Sequence, residues 1–186
     1  MLPPEQRRAL LVVTAKTATE LRKAWRRVDF ATPYTAKTDL LDLVPPLGDS
    51  YRLAAAALAA DWYDSLREER GAAGRFVAEP AKLANPSRFE ALVGWGIGPL
   101  FGSNPDPYAA LSKIDGGLQR IVADGYRETV QESSVRDRAA QGWAREGVGD
   151  CDFCRMLIGR GAVYTEATAD FESHDRCHCV AVPVFD

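Results

Sequence analysis

The sequence predicts a mainly α fold: a helical body of several amphipathic helices carrying a small C-terminal α+β zinc-binding module. Three observations predict it. Apolar residues recur at spacings of three and four through most of the first 145 positions. Short β-capable pieces appear only after Gly147, and all four cysteines and both histidines fall between Cys151 and Cys179. With 46% of its 186 residues hydrophobic, the chain can bury a core of ordinary size.

The first element is an amphipathic helix over about residues 5–28, with Leu10 or Leu11, Thr14, Ala18, Leu21, Trp25 and Val28 on its apolar face. The segment DFATPYTAK breaks it. Asp49 or Ser50 is placed to cap the next helix, YRLAAAALAADWYDSLREER, which Gly71 ends. Asn85-Pro86 and Asp106-Pro107 each set a capping side chain before a proline at the first helical position, so two further helices start there. Between them FEALVGWGIGPLF is glycine-rich, a poor isolated helix that needs packing to hold it. A long helical pattern then runs from Pro107 to about Arg145, with weak points at Gly116-Gly117 and Gly125. After GVGD the texture changes to AVYT at 162–165 and CVAVPVF at 179–185, both of strand character. The division is therefore residues 1–147 for the helical body and 148–186 for a zinc-ribbon-like module.

The spacing Cys151-x2-Cys154 places two thiols on one tight turn, the usual first half of a tetrahedral zinc site. Cys177-x-Cys179 supplies a second half, and His174 stands three positions before it as an alternate ligand. His178, out of phase with its flanking cysteines on an extended strand, points away. An ideal strand separates CxC side chains by roughly 7 Å, so the chain must turn or bulge at His178, or else His174 replaces one of the two cysteines. A segment this short, with few large apolar side chains, folds only if something joins its ends, and a structural zinc does so. Free thiols packed on the helices and a disulfide formed outside the host cell are the rival readings of the same cysteines.

Composition narrows the function. A net charge of -3 gives no global attraction to nucleic acid or anionic lipid. Residues 151–186 carry Arg155, Arg160 and Arg176 against six carboxylates, the wrong sign for a DNA-reading finger. The first 28 residues are locally basic, and Arg7, Lys16, Lys23 and Arg27 offer a contact for DNA or an acidic partner. There is no HExxH, no G-x-S-x-G elbow and no phosphate-binding glycine loop, and a closed four-ligand zinc has no open position for water. No stretch has the length of a membrane span or the h-region of a signal peptide, so the expectation is a protein made and kept in the cytosol, with no membrane contact.

Cys151-x2-Cys154, Arg160-Gly161 leading into AVYT, His174-x2-Cys177-x-Cys179 and the terminal PVF together resemble the C-terminal module of the phage Mu F-like minor head proteins of tailed bacteriophages. Asp175 stands where that family commonly has proline. The resemblance covers about the last forty residues. It implies a structural minor capsid protein of the virion, lying in the capsid interior or at the portal vertex. Its partners would be the portal protein and other capsid proteins, and its role head assembly or genome packaging and ejection. Similar proteins are sometimes described as capsid maturation proteases, which is the alternative reading. A DNA-binding accessory protein acting through the basic first helix is a further one.

Overall fold

A computed structural model describes residues 4–147, 152–161, 164, 171, 173–177 and 179–185. Four long helices make the body: α1 (Pro4–Trp25), α2 (Pro33–Glu69), α3 (Pro86–Gly96) and α4 (Pro107–Arg136), with a 3-10 turn at Gly98–Leu100. β1 (Ala140–Glu146), α5 (Asp152–Ile158) and β2 (Val180–Phe185) follow. The chain is mainly helical, and α2 and α4 form its central packing pair, with α1 and α3 each lying against both.

The caps behave as elementary stereochemistry requires. Asn85 accepts from the Ser87 amide and Asp106 from the Ala109 amide, each ahead of a proline whose missing N–H would have been unpaired in any case. Beyond the end of α2, Gly71 takes φ 63°, the left-handed conformation that stops a helix. Of the residues expected on the apolar face of α1, Leu10, Thr14, Ala18, Leu21 and Val28 are buried.

Two expectations are corrected. The second helix does not begin at Asp49 or Ser50 but at Pro33, where Thr32 and Thr35 form a capping box. It runs without interruption through Pro45 and Pro46 because Leu40, Val44 and Gly48 on the same side are drawn into the core, and Gly48 faces the Phe89 ring. Asp49 instead accepts from the amide of Ala84, tying the connection before α3 to α2. The last long helix likewise does not reach Arg145. It stops at Arg136, and Ala140–Glu146 is a strand paired antiparallel with Val180–Phe185. The cause is tertiary: Trp143 is buried in stacks with Tyr164 (4.3 Å) and Phe171 (5.6 Å), and the strand carrying it completes a two-stranded ladder. Gly142, at φ 139°, borders the irregularity in that ladder, in a conformation side-chain-bearing residues rarely adopt.

Two apolar clusters fill the body. One gathers Leu21, Leu40, Val44, Phe89, Val93, Ile114 and Leu118 between α1, α2, α3 and the first half of α4. The other joins Leu10, Ala59, Trp62, Tyr63, Val122, Tyr126 and Val130 to Trp143, Val180, Ala181 and Val182, so the terminal strand is packed into the same core as the helices.

The helix α4 runs unbroken through its glycines. Gly117 and Gly125 are contact points where a Cβ would lie 2.3 Å from a Leu92 methyl and 2.5 Å from the Arg52 carbonyl oxygen. Gly96 of α3 is closed in the same way by Ile114. No helix among the described residues is long and apolar enough to cross a membrane.

Candidate metal centre

The site begins with a turn. His174, Asp175, Arg176 and Cys177 form a four-residue reversal closed by the Cys177 amide donating to the His174 carbonyl at 3.1 Å. Arg176 sits at its third position with φ 58°, a conformation costly for a residue with a side chain. The side chain is tethered to α4, donating to the Ser112 carbonyl (2.7 Å) and hydroxyl (3.1 Å) and lying 3.5 Å from Asp115. The turn thereby aims the two residues at its ends, His174 and Cys177, at one point.

That point is reached from the other side by Cys154, which α5 holds buried. Cys154 Sγ lies 3.5 Å from His174 Nε2 and 3.8 Å from Cys177 Sγ, and the three ligand atoms all fall within 4.8 Å of one another. A tetrahedral zinc with ~2.3 Å bonds to sulfur and ~2.05 Å to nitrogen sets its ligand atoms ~3.8 Å apart for S···S and ~3.6 Å for S···N. The donor set therefore fits such an ion in both chemistry and spacing. The imidazole is also oriented for it. His174 Nδ1 lies 2.9 Å from the Asp175 carbonyl, so the proton belongs on Nδ1 and the Nε2 lone pair faces the thiols.

Of the five residues singled out from the sequence, Cys154, His174 and Cys177 come together in this way. Cys179 is buried beside them but lies outside the group whose ligand atoms are mutually within 4.8 Å. Cys151 and His178 lie outside the described residues, as does most of AVYT, of which Tyr164 bridges to Trp143. Cys154, Cys177 and Cys179 form no disulfide with one another.

The protons of this cluster are unequally held. A hydrogen bond from the Cys179 thiol, followed by the charge of Arg127, draws the Cys177 thiol well below the usual range despite its burial. Cys179, which shares its proton with that thiolate and is itself buried, is pushed up. One sulfur ionises easily, and the next resists because it donates its proton to the first and is buried. A thiolate is the form of cysteine that ligates a metal.

The sequence reading missed Arg127. This guanidinium is wholly buried and donates to the carbonyls of Cys177 (2.6 Å) and Cys179 (2.9 Å), to Ser173 Oγ (2.9 Å) and to Asp124 (2.7 Å). Arg88 of α3 pairs with Asp124 and Glu128, and Arg52 of α2 pairs with Glu128. An ionic network thus runs from three helices to the backbone of the CxC pair. Nothing in its spacing distinguishes Arg127 from a solvent-facing helix arginine.

The basic residues at the N-terminus make no comparable site. Arg7 is half-buried, whereas Lys16, Lys23 and Arg27 are exposed, and Lys23 pairs with Glu20 at 2.7 Å.

Comparison with curated proteins and with solved structures found no match. Among protein families, the VG15 protein family matches residues 5–186, a span that takes in both the helical body and the Cys/His cluster. The chain belongs to the VG15 protein family, and with it to the proteins of phages.

Proposed function

We propose that this chain is a minor capsid protein of a tailed bacteriophage, placed at the portal vertex or capsid interior, where it acts in head assembly or in genome packaging and ejection. The observation that carries the reading is the phage-family match along almost the whole chain. The Mu F-like pattern of the last forty residues supports the finer assignment. In this reading residues 1–147 supply helical faces for the portal and other capsid proteins, and residues 148–186 are a module stapled by structural zinc, with β2 the element the two share. The ligands are Cys154, His174 and Cys177, with Cys151 of the CxxC pair as the fourth and Cys179 as a neighbouring thiol that does not bind. Arg7, Lys16, Lys23 and Arg27 are left as a contact surface for packaged DNA.

The test is the composition of purified virions. The chain should be present at low copy and, by labelling, confined to the portal vertex. Its loss from mature particles would overturn the assignment. Zinc analysis of the single variants tests the ligand set: Cys151→Ser, Cys154→Ser and Cys177→Ser should lose the metal, and Cys179→Ser should keep it.

A capsid maturation protease is the second reading. Its supporting observation is the thiol–imidazole pair itself, Cys154 Sγ to His174 Nε2 at 3.5 Å. The burial of Cys154 and the second thiol at 3.8 Å favour a metal over a nucleophile. Normal head-protein cleavage by the Cys154→Ser variant would remove the protease reading.

A further inference from the structure

We propose that Arg127 is a positioning residue of the metal centre: it presets the backbone of Cys177 and Cys179 from α4, so that metal occupancy and the packing of α4 are coupled. This rests on the zinc reading above and adds to it a residue that is no ligand.

The argument is one of hydrogen-bond satisfaction. A fully buried guanidinium is costly unless its donors are matched. Arg127 spends two of them on the carbonyls of Cys177 and Cys179 and others on Ser173 and Asp124, while its plane lies 4.9 Å from the Phe171 ring centre. Two carbonyls held by one rigid planar fork cannot move independently, so the positions of Cys177 and Cys179 relative to α4 are set together. The Cys177 amide also closes the turn carrying His174. The third residue of the turn, Arg176, is anchored on Ser112, on the same helix as Arg127 but several turns away. Two arginine contacts to a single rigid helix therefore set where two of the three ligand atoms stand. Because coupling is reciprocal, an ion that fixes the turn also fixes α4 around Arg127.

A merely structural arginine makes a different prediction. Its loss would lower stability, yet in protein that remains folded the zinc affinity and the ligand field would be unchanged. The experiment compares full-length wild type, Arg127→Met, Arg127→Lys and Arg136→Met by zinc competition against a chromophoric chelator at fixed pH, and by the visible spectrum of the cobalt(II) form. Arg127→Met should bind zinc roughly 10–100-fold more weakly, the usual effect of losing an outer-shell partner. Its cobalt bands should shift, and Arg127→Lys should recover part of the affinity. Arg136 pairs with Glu79 at the exposed end of the same helix, so Arg136→Met should match wild type. Equal zinc affinity and identical cobalt spectra for Arg127→Met and wild type would overturn this proposal and leave the zinc reading standing. A wild type that takes up no metal would overturn both. Should Arg127→Met fail to fold, hydrogen exchange of the wild type decides: zinc should slow the α4 amides around Arg127 at least tenfold, and exchange unaffected by zinc would overturn the coupling.

Discussion

Leu118 and Arg127 lie on the same helix with no measurable exposure, and they are buried for opposite reasons. Leu118 belongs to the cluster of Leu40, Phe89 and Ile114, where removing apolar surface from water stabilises by about 2–3 kcal/mol per side chain. Arg127 loses its hydration and recovers it only through partners with correct geometry, several of which belong to the cysteine-bearing segment. At Leu118, in the first half of α4, the helix is thus a packing surface that can yield. At Arg127, in the second half, it is a jig whose value depends on what it holds. The cysteine cluster shows why a jig is needed. Its buried apolar content among the described residues is Cys154, Cys177 and Cys179, with only Ile158 and Phe171 partly covering them.

The largest expected effect comes from removing the staple. Strong chelator, or Cys154→Ser, should abolish exchange protection over residues 154–177 while the helical circular dichroism persists, because structural zinc contributes binding energy on the order of 10 kcal/mol and the apolar clusters of the body do not depend on it. Simultaneous loss of all helical signal would erase the contrast between the two halves of α4.

Next in size is a pair of glycine substitutions, one in each half. A Cβ at Gly125 meets a backbone oxygen of Arg52, which cannot rotate away, so Gly125→Ala should cost about 2–3 kcal/mol in denaturant unfolding. A Cβ at Gly117 meets the end of the Leu92 side chain, which can change rotamer, and alanine recovers up to ~1 kcal/mol of helix propensity. Gly117→Ala should fall within about 1 kcal/mol of wild type. Equal costs would show that the two halves are equally rigid.

The smallest effect concerns Tyr126, whose buried hydroxyl has no hydrogen-bond partner among the described residues. Tyr126→Phe should be neutral or stabilising by up to ~1 kcal/mol, since it deletes an unpaired polar group. Burial first, and the charge of Glu146 second, push this phenol above its usual range. Its folded pKa is therefore raised, so its contribution is complete below the unfolded value of about 10 and is lost as pH rises beyond it. Tyr63 behaves alike, through burial and Asp137. Unfolding free energy should fall with pH above about 10, and less steeply in Tyr126→Phe; identical slopes would show that Tyr126 ionises freely in the folded protein.

Local chemistry was enough to read several features from the chain. Asn85-Pro86, Asp106-Pro107 and Gly71 mark helix ends because each acts through its own backbone and its nearest neighbours. The same holds for the apolar face of α1, whose period is a property of the helix alone. The Cys/His spacing also points to Cys154, His174 and Cys177 among its five candidates, since metal chemistry restricts ligand type so sharply.

Only tertiary structure decided the rest. Asp49 or Ser50 reads as the start of a helix, and AQGWARE as the tail of one, until the packing of Gly48 under Phe89 and of Trp143 against Tyr164 and Phe171 outweighs local preference. The role of Arg127 was equally hidden. A side chain's partners some fifty residues away leave no periodicity or spacing in the sequence around it, so an arginine that holds a metal loop and one that faces solvent are written with the same letter.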